Sequence, residues 1–128
     1  MQTEQLIEIV RGALEDVKAR DIEVIDVRGK SSITSYMVVA SGTSKRHVVS
    51  LAHAVSDKVK EVGIQPLGTE GQTDGEWVLV DLGEVVVHVL MPDARSYYDL
   101  EHLWRFDSRE DATSEAALET GSDTKVSG

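Results

Sequence analysis

The chain has 128 residues, is 41% hydrophobic, carries a formal net charge of −10 and contains no cysteine. That length and apolar content suit one domain with a single core, and the absence of thiols excludes a disulfide framework and a cysteine zinc site. The negative charge argues against phosphate backbones, which select basic patches; it serves either solubility alone or a protein partner of opposite charge.

No basic run followed by an apolar segment opens the chain, and no apolar stretch approaches the roughly 20 residues of a membrane span. The expectation is a soluble cytoplasmic protein with no membrane partner. Leu6, Ile9, Val10, Ala13, Leu14 and Val17 recur at helical spacing and predict an amphipathic helix over about 4–19. Glu23 to Val27 reads as a short strand closed by Gly29. Residues 30–35 are small and polar and form a loop. Tyr36 to Ala40 is a continuous apolar run of strand length, suited to a buried central strand.

Ser41-Gly42-Thr43-Ser44 leads into a second helix, capped by Thr43 or Ser44. Val48, Leu51, Ala52, Val55, Val59 and Val62 make its stripe, and Gly63 ends it. Ile64 to Leu67 reads as a short edge strand in which Pro66 is tolerated, and the glycine-rich stretch 68–75 as a flexible connection.

The segment from Glu76 to Leu90 predicts two strands folded back on a tight turn around Gly83. Whether the loop is Leu82-Gly83 or Gly83-Glu84, Val78, Val80 and Leu82 share a wholly apolar face with Val85, Val87 and Val89. The other face carries Trp77, Leu79 and Asp81 beside Val86 and His88. A hairpin apolar on both sides needs cover on both sides, from a helix of the chain or from a partner. Pro92 then fits the first turn of a short helix to about Tyr98, and Leu100, Leu103 and Trp104 form a last apolar turn. Residues 106–128 are too poor in aliphatics to offset their ordering entropy and read as a disordered acidic tail, leaving 1–105 as the folded domain. Helix, strand, strand, helix, strand, hairpin and short helix make an α/β single domain with a mixed sheet.

Little in the chain carries chemistry. His47, His53, His88 and His102 lack metal-ligand spacing; His88 reads as a satisfied core histidine. Gly42 before a helix is a weak anion signal without a phosphate-loop motif. Asp26, Asp81 and Glu84 are available for Mg²⁺, but no D-x-D pair lies on one strand face. No catalytic residue, cofactor or metal ligand is nominated. The binding candidates are apolar: Trp77, Leu82 at the hairpin tip, and Pro92 after its exit. Trp77 either caps the edge of the core or anchors a partner, tryptophan being enriched in binding hot spots.

Four stretches together carry a resemblance: Lys30 to Thr34, Ser41 to Val48, Glu76 to Val89, and Tyr98-Asp99-Leu100-Glu101-His102-Leu103-Trp104. Over about 5–105, in order and in spacing, the chain closely resembles the Iojap family, the ribosomal silencing factors. The resemblance implies a five-stranded mixed sheet with flanking helices, like nucleotidyltransferases but without their catalytic carboxylates. It implies a translation repressor that is not an enzyme. Such a protein binds the fourteenth large-subunit ribosomal protein and blocks joining of the small subunit when nutrients are short, with little direct RNA contact. The family's contact surface maps onto Trp77 and Leu82, with Pro92 nearby. Ser35 departs from the family, which usually has Asp there. Two other readings stand beside this one: a Mg²⁺-dependent nucleotidyl or phosphoryl transferase using Asp26 or Asp81, and a homodimer whose copies cover each other's binding patch.

Overall fold

In the computed structural model, which describes residues 1–101, the first apolar stripe winds into α1 (Thr3–Asp16) and buries Leu6, Ile7, Val10, Ala13 and Leu14. The helix stops three residues short of the expected 19 because Lys18 turns left-handed, at φ 65°. Ala19 N–H then reaches back to the Leu14 carbonyl at 2.9 Å, and Lys18 N–H to that of Glu15 at 3.0 Å. This double closure satisfies carbonyls the helix would otherwise leave open. Strand β1 (Arg20–Asp26) starts correspondingly early.

Strand β2 (Tyr36–Ser41) is buried almost throughout, as its unbroken apolar run requires. Helix α2 (Lys45–Glu61) begins on Ser44, whose hydroxyl accepts the His47 N–H at 3.1 Å. It ends on Gly63, which sits at φ 87° and closes the last turn as α1 closes on Lys18.

The edge strand β3 is Gly68–Glu70, not the expected Ile64 to Leu67. Ile64 N–H is spent on the Val59 carbonyl of α2, and Pro66 has no N–H to give. Pairing starts when Leu67 N–H meets the Asp81 carbonyl at 2.8 Å. The hairpin follows as β4 (Trp77–Asp81) and β5 (Val85–Leu90), and α3 (Pro92–Tyr98) starts on its proline.

The five strands lie in the order β1-β2-β5-β4-β3. β2 and β5 pair in parallel; the other neighbours are antiparallel. The fold is therefore the expected single α/β domain with a mixed sheet flanked by helices. One sheet face carries Val38, Ala40, Val78, Val80, Val85, Val87 and Val89 and packs under α1 and α2. The second face carries Ile25, Met37, Val39 and Leu90, with Ala94 of α3 upon them. The expected apolar turn at Leu103 and Trp104, His102, and the tail 106–128 lie outside the described residues.

Candidate functional site

Strand alternation decides what the second face offers. On β4 it places Trp77, Leu79 and Asp81 on this face, and on β5 Val86, His88 and Leu90. Helix α3 has only seven residues and packs over the Leu90 end of the sheet. Trp77, Leu79 and Val86 stay half-buried, whereas every valine on the hairpin's opposite face is closed off. Among the described residues, the result is a half-covered apolar strip along the hairpin.

Trp77 sits at the head of this strip. Its indole Nε1–H donates to His88 Nδ1 at 3.0 Å. The Tyr98 ring lies 4.7 Å from the indole at an angle of 47°, and Tyr97 meets Tyr98 edge-on at 5.0 Å. Both tyrosines are open to solvent, Tyr97 to 81% and Tyr98 to 52%. The three rings form an exposed aromatic shelf, tilted in the manner that ring quadrupoles favour. Pro92 is exposed at the same end, because Met91 N–H is tied to the Glu76 carbonyl at 2.9 Å just before Trp77.

Beneath the shelf, His88 is only 7% exposed. Burial alone lowers its pKa from 6.5 to about 4. The ring is therefore neutral at physiological pH, and Nδ1 is free to accept the indole proton while Nε2 carries its own.

Leu82 differs from the sequence expectation of an uncovered tip leucine. It is 8% exposed and belongs to the core under the helices. Leu82 N–H bonds the Val85 carbonyl at 2.9 Å, so the two-residue loop is Gly83-Glu84, with Gly83 at φ 89°. Leu82 thus remains in the strand alternation with Val78 and Val80. It is at the other end and on the other face from Trp77, and the two do not form one patch.

The remaining candidates are committed to the fold. His47 clamps two helices: its Nδ1 accepts Thr43 N–H at 2.8 Å, and its Nε2 faces the Val17 carbonyl at 2.6 Å. The N–H groups that an anion at Gly42 would use are thereby partly taken. A Cβ on Gly42 would meet Val48 Cγ2 at 2.9 Å, so the glycine serves close packing. The 68–75 stretch is β3 followed by a tight turn packed against its neighbours: a Cβ on Gly71 would fall 2.1 Å from the Trp77 carbonyl, and one on Gly75 would fall 2.9 Å from Lys45 Cβ.

Asp26 pairs with Tyr36 and Asp81 with Val86, which puts their carboxylates on opposite faces with β2 and β5 between them. Asp26 is bound to Arg28 at 2.7 Å, which holds its pKa down to about 2. Asp81 accepts Gly83 N–H at 2.9 Å, and Glu84 accepts the Ser35 hydroxyl at 2.8 Å. The carboxylates of the transferase reading therefore do not converge. Ser35, the departure noted above, acts here as a donor to a carboxylate, a role an ionised Asp cannot fill.

Sequence reasoning overlooked Tyr97 and Tyr98, though two aromatics closing a proline-started helix beside the hairpin exit were a visible signal. It also overlooked Arg95. The guanidinium bonds Glu101 through Nε at 3.0 Å and Nη2 at 2.6 Å, and Ser41 Oγ through Nη1 at 3.0 Å. With the pair only 12% and 13% exposed, it fastens α3 to the end of β2 and so fixes the shelf.

Residues 1–127 match a family described as "Ribosomal silencing factor during starvation". The chain is similar to the ribosomal silencing factor RsfS of Chromobacterium violaceum, 46% identical over 104 residues, which are 81% of this chain and 85% of that one. RsfS of Bacillus subtilis is 41% identical over 104 residues, 81% and 88% of the two chains. A crystal structure of a C. violaceum protein superposes with a TM-score of 0.81 at 46% identity, covering 82% of this chain and 88% of the other.

Proposed function

The chain belongs to the family of ribosomal silencing factors, and from that premise we propose that it represses translation by occupancy. It docks on the large ribosomal subunit, against the fourteenth ribosomal protein of that subunit, and fills volume the small subunit needs, above all when nutrients are limiting or growth has stopped. The observation that carries this reading is the half-buried strip of Trp77, Leu79 and Val86 beside the open rings of Tyr97 and Tyr98. An apolar strip headed by an indole and rimmed by tyrosines has the composition of a protein-binding hot spot.

Trp77 is the anchor and Pro92 belongs to the rim at the same end. Leu82 contributes from within the core, by holding the hairpin against the helices. A body of about 105 residues has a radius of gyration of roughly 13 Å, enough to keep two large surfaces apart. Turnover is not needed for that. The net charge of −10 supports encounter with a basic ribosomal protein and little direct contact with RNA. In the free protein the same strip is available to a second copy, and sedimentation across concentrations measures that use.

The test is capture of purified large subunits by wild type and by Trp77→Ala. Truncating the anchor weakens binding by about 2 kcal/mol, roughly 30-fold, while circular dichroism stays unchanged. A folded variant that binds as tightly as wild type rejects Trp77 as anchor.

A further inference from the structure

We infer that His88 is the positioning residue of the docking surface, holding the Trp77 ring in the pose that meets the partner. The inference rests on the docking reading above and deepens it.

Trp77 is at the start of β4, where its side chain has protein on one side and solvent on the other. Two side-chain torsions would let such a ring sweep. The Nε1–H donated to His88 Nδ1 at 3.0 Å stops it, and Tyr98 flanks it at 4.7 Å. His88 is a rigid post: it lies on β5 between β2 and β4, opposite Val39 and Leu79. It cannot shift unless the sheet shifts.

The residue type also needs a reason. An imidazole among Val39, Leu79 and Leu90 costs desolvation that a leucine of similar size would avoid. The acceptor it offers the indole offsets that cost and orders the anchor before binding, which spares the interface an ordering penalty.

Other charged and titratable groups share this face. Asp81 lies further along β4, Glu23 opposite Val39 on β1, and Arg95 with Glu101 and Tyr98 at α3. None enters the lowering of the His88 pKa, which burial alone causes.

Three variants separate the possibilities: His88→Asn keeps an acceptor close to the Nδ1 position, His88→Leu removes it, and Trp77→Ala removes the anchor. The chain has two tryptophans, so the indole N–H resonance lost in Trp77→Phe identifies that of Trp77. In wild type and His88→Asn that proton resonates downfield and exchanges slowly. In His88→Leu it moves upfield and exchanges about tenfold faster. Binding to purified large subunits falls about five- to tenfold in folded His88→Leu and stays within about twofold in His88→Asn.

If His88→Leu binds as wild type while Trp77→Ala does not, the positioning role is overturned and docking stands. If His88→Asn is as weak as His88→Leu, the histidine is merely structural and the inference fails. If Trp77→Ala binds as wild type, Trp77 is not the anchor and the inference falls with it; if wild type does not bind large subunits, docking itself falls. Should His88→Leu not fold, acidification of wild type toward pH 4 replaces it. The Trp77 resonance then moves in wild type and holds still in His88→Asn; an equal response in both overturns the inference.

Discussion

At the scale of single residues, one buried polar group, His88, stands in an apolar face. The folded pKa of His88 is about 4 against 6.5 for the free side chain, so the unfolded chain binds more protons between those values. Stability is complete above the unfolded value and declines as pH falls from 6.5 toward 4. From pH 7 to pH 5 this group alone removes about 2 kcal/mol of unfolding free energy. Urea melts at the two pH values measure it, and His88→Asn should lose that part of the difference. An identical difference in the variant would assign the acid sensitivity elsewhere. Trp77 and its hydrophobic strip were legible in sequence because strand alternation fixes faces once a turn is located. Leu82 was expected to be open at the tip; of the two loops the sequence left open, Gly83-Glu84 forms, so Leu82 stays in the strand and is buried. The two tyrosines closing α3 were visible in the sequence, but their meeting with Trp77 was not: no periodicity says that Tyr98 of one element will touch Trp77 of another.

At the scale of elements, the chain ends its two long helices with the same closure, and only one could be read. Gly63 announces a left-handed residue; Lys18, at φ 65°, does the same work with a side chain that disfavours it. Lys18→Gly should therefore stabilise the protein by about 1 kcal/mol, seen as a higher urea midpoint with an unchanged slope. A lower midpoint would show that the lysine side chain earns its place by contacts. The hairpin runs the opposite way. Gly83 at φ 89° has room for a methyl group, with Leu67 Cδ1 at 3.6 Å, so Gly83→Ala tests conformation and not crowding. It should destabilise by about 1–2 kcal/mol and leave the fold intact. Gly71→Ala should be far worse, because its Cβ would meet the Trp77 carbonyl at 2.1 Å and displace the anchor strand itself. Soluble yield and large-subunit capture of the two glycine variants compare these outcomes. Equal behaviour would contradict the packing described for the 68–75 turn. That turn and β3 escaped the sequence because an edge strand takes its register from its neighbour, and Gly68-Thr69-Glu70 has no apolar pattern of its own.

At the scale of the whole molecule, the sequence asks for cover on both sides of the hairpin and leaves open whether the second cover is complete; among the described residues, two long helices cover one sheet face and a short one covers part of the other. The asymmetry follows from length: α1 and α2 have 14 and 17 residues, α3 only seven. The half-covered strip is what remains among the described residues, and on the proposed docking the chain's net charge of −10 should govern how fast a basic surface is found more than how long it is held. Raising ionic strength should slow association while leaving dissociation nearly unchanged, as surface plasmon resonance on immobilised large subunits would record. The account as a whole is tested most directly by adding the protein to purified large and small subunits and separating them on a sucrose gradient. It predicts that joined ribosomes diminish and that the protein migrates with the large subunit, both effects fading in Trp77→Ala. Undiminished joining with the protein bound to the large subunit, or no binding by the wild type, would contradict it.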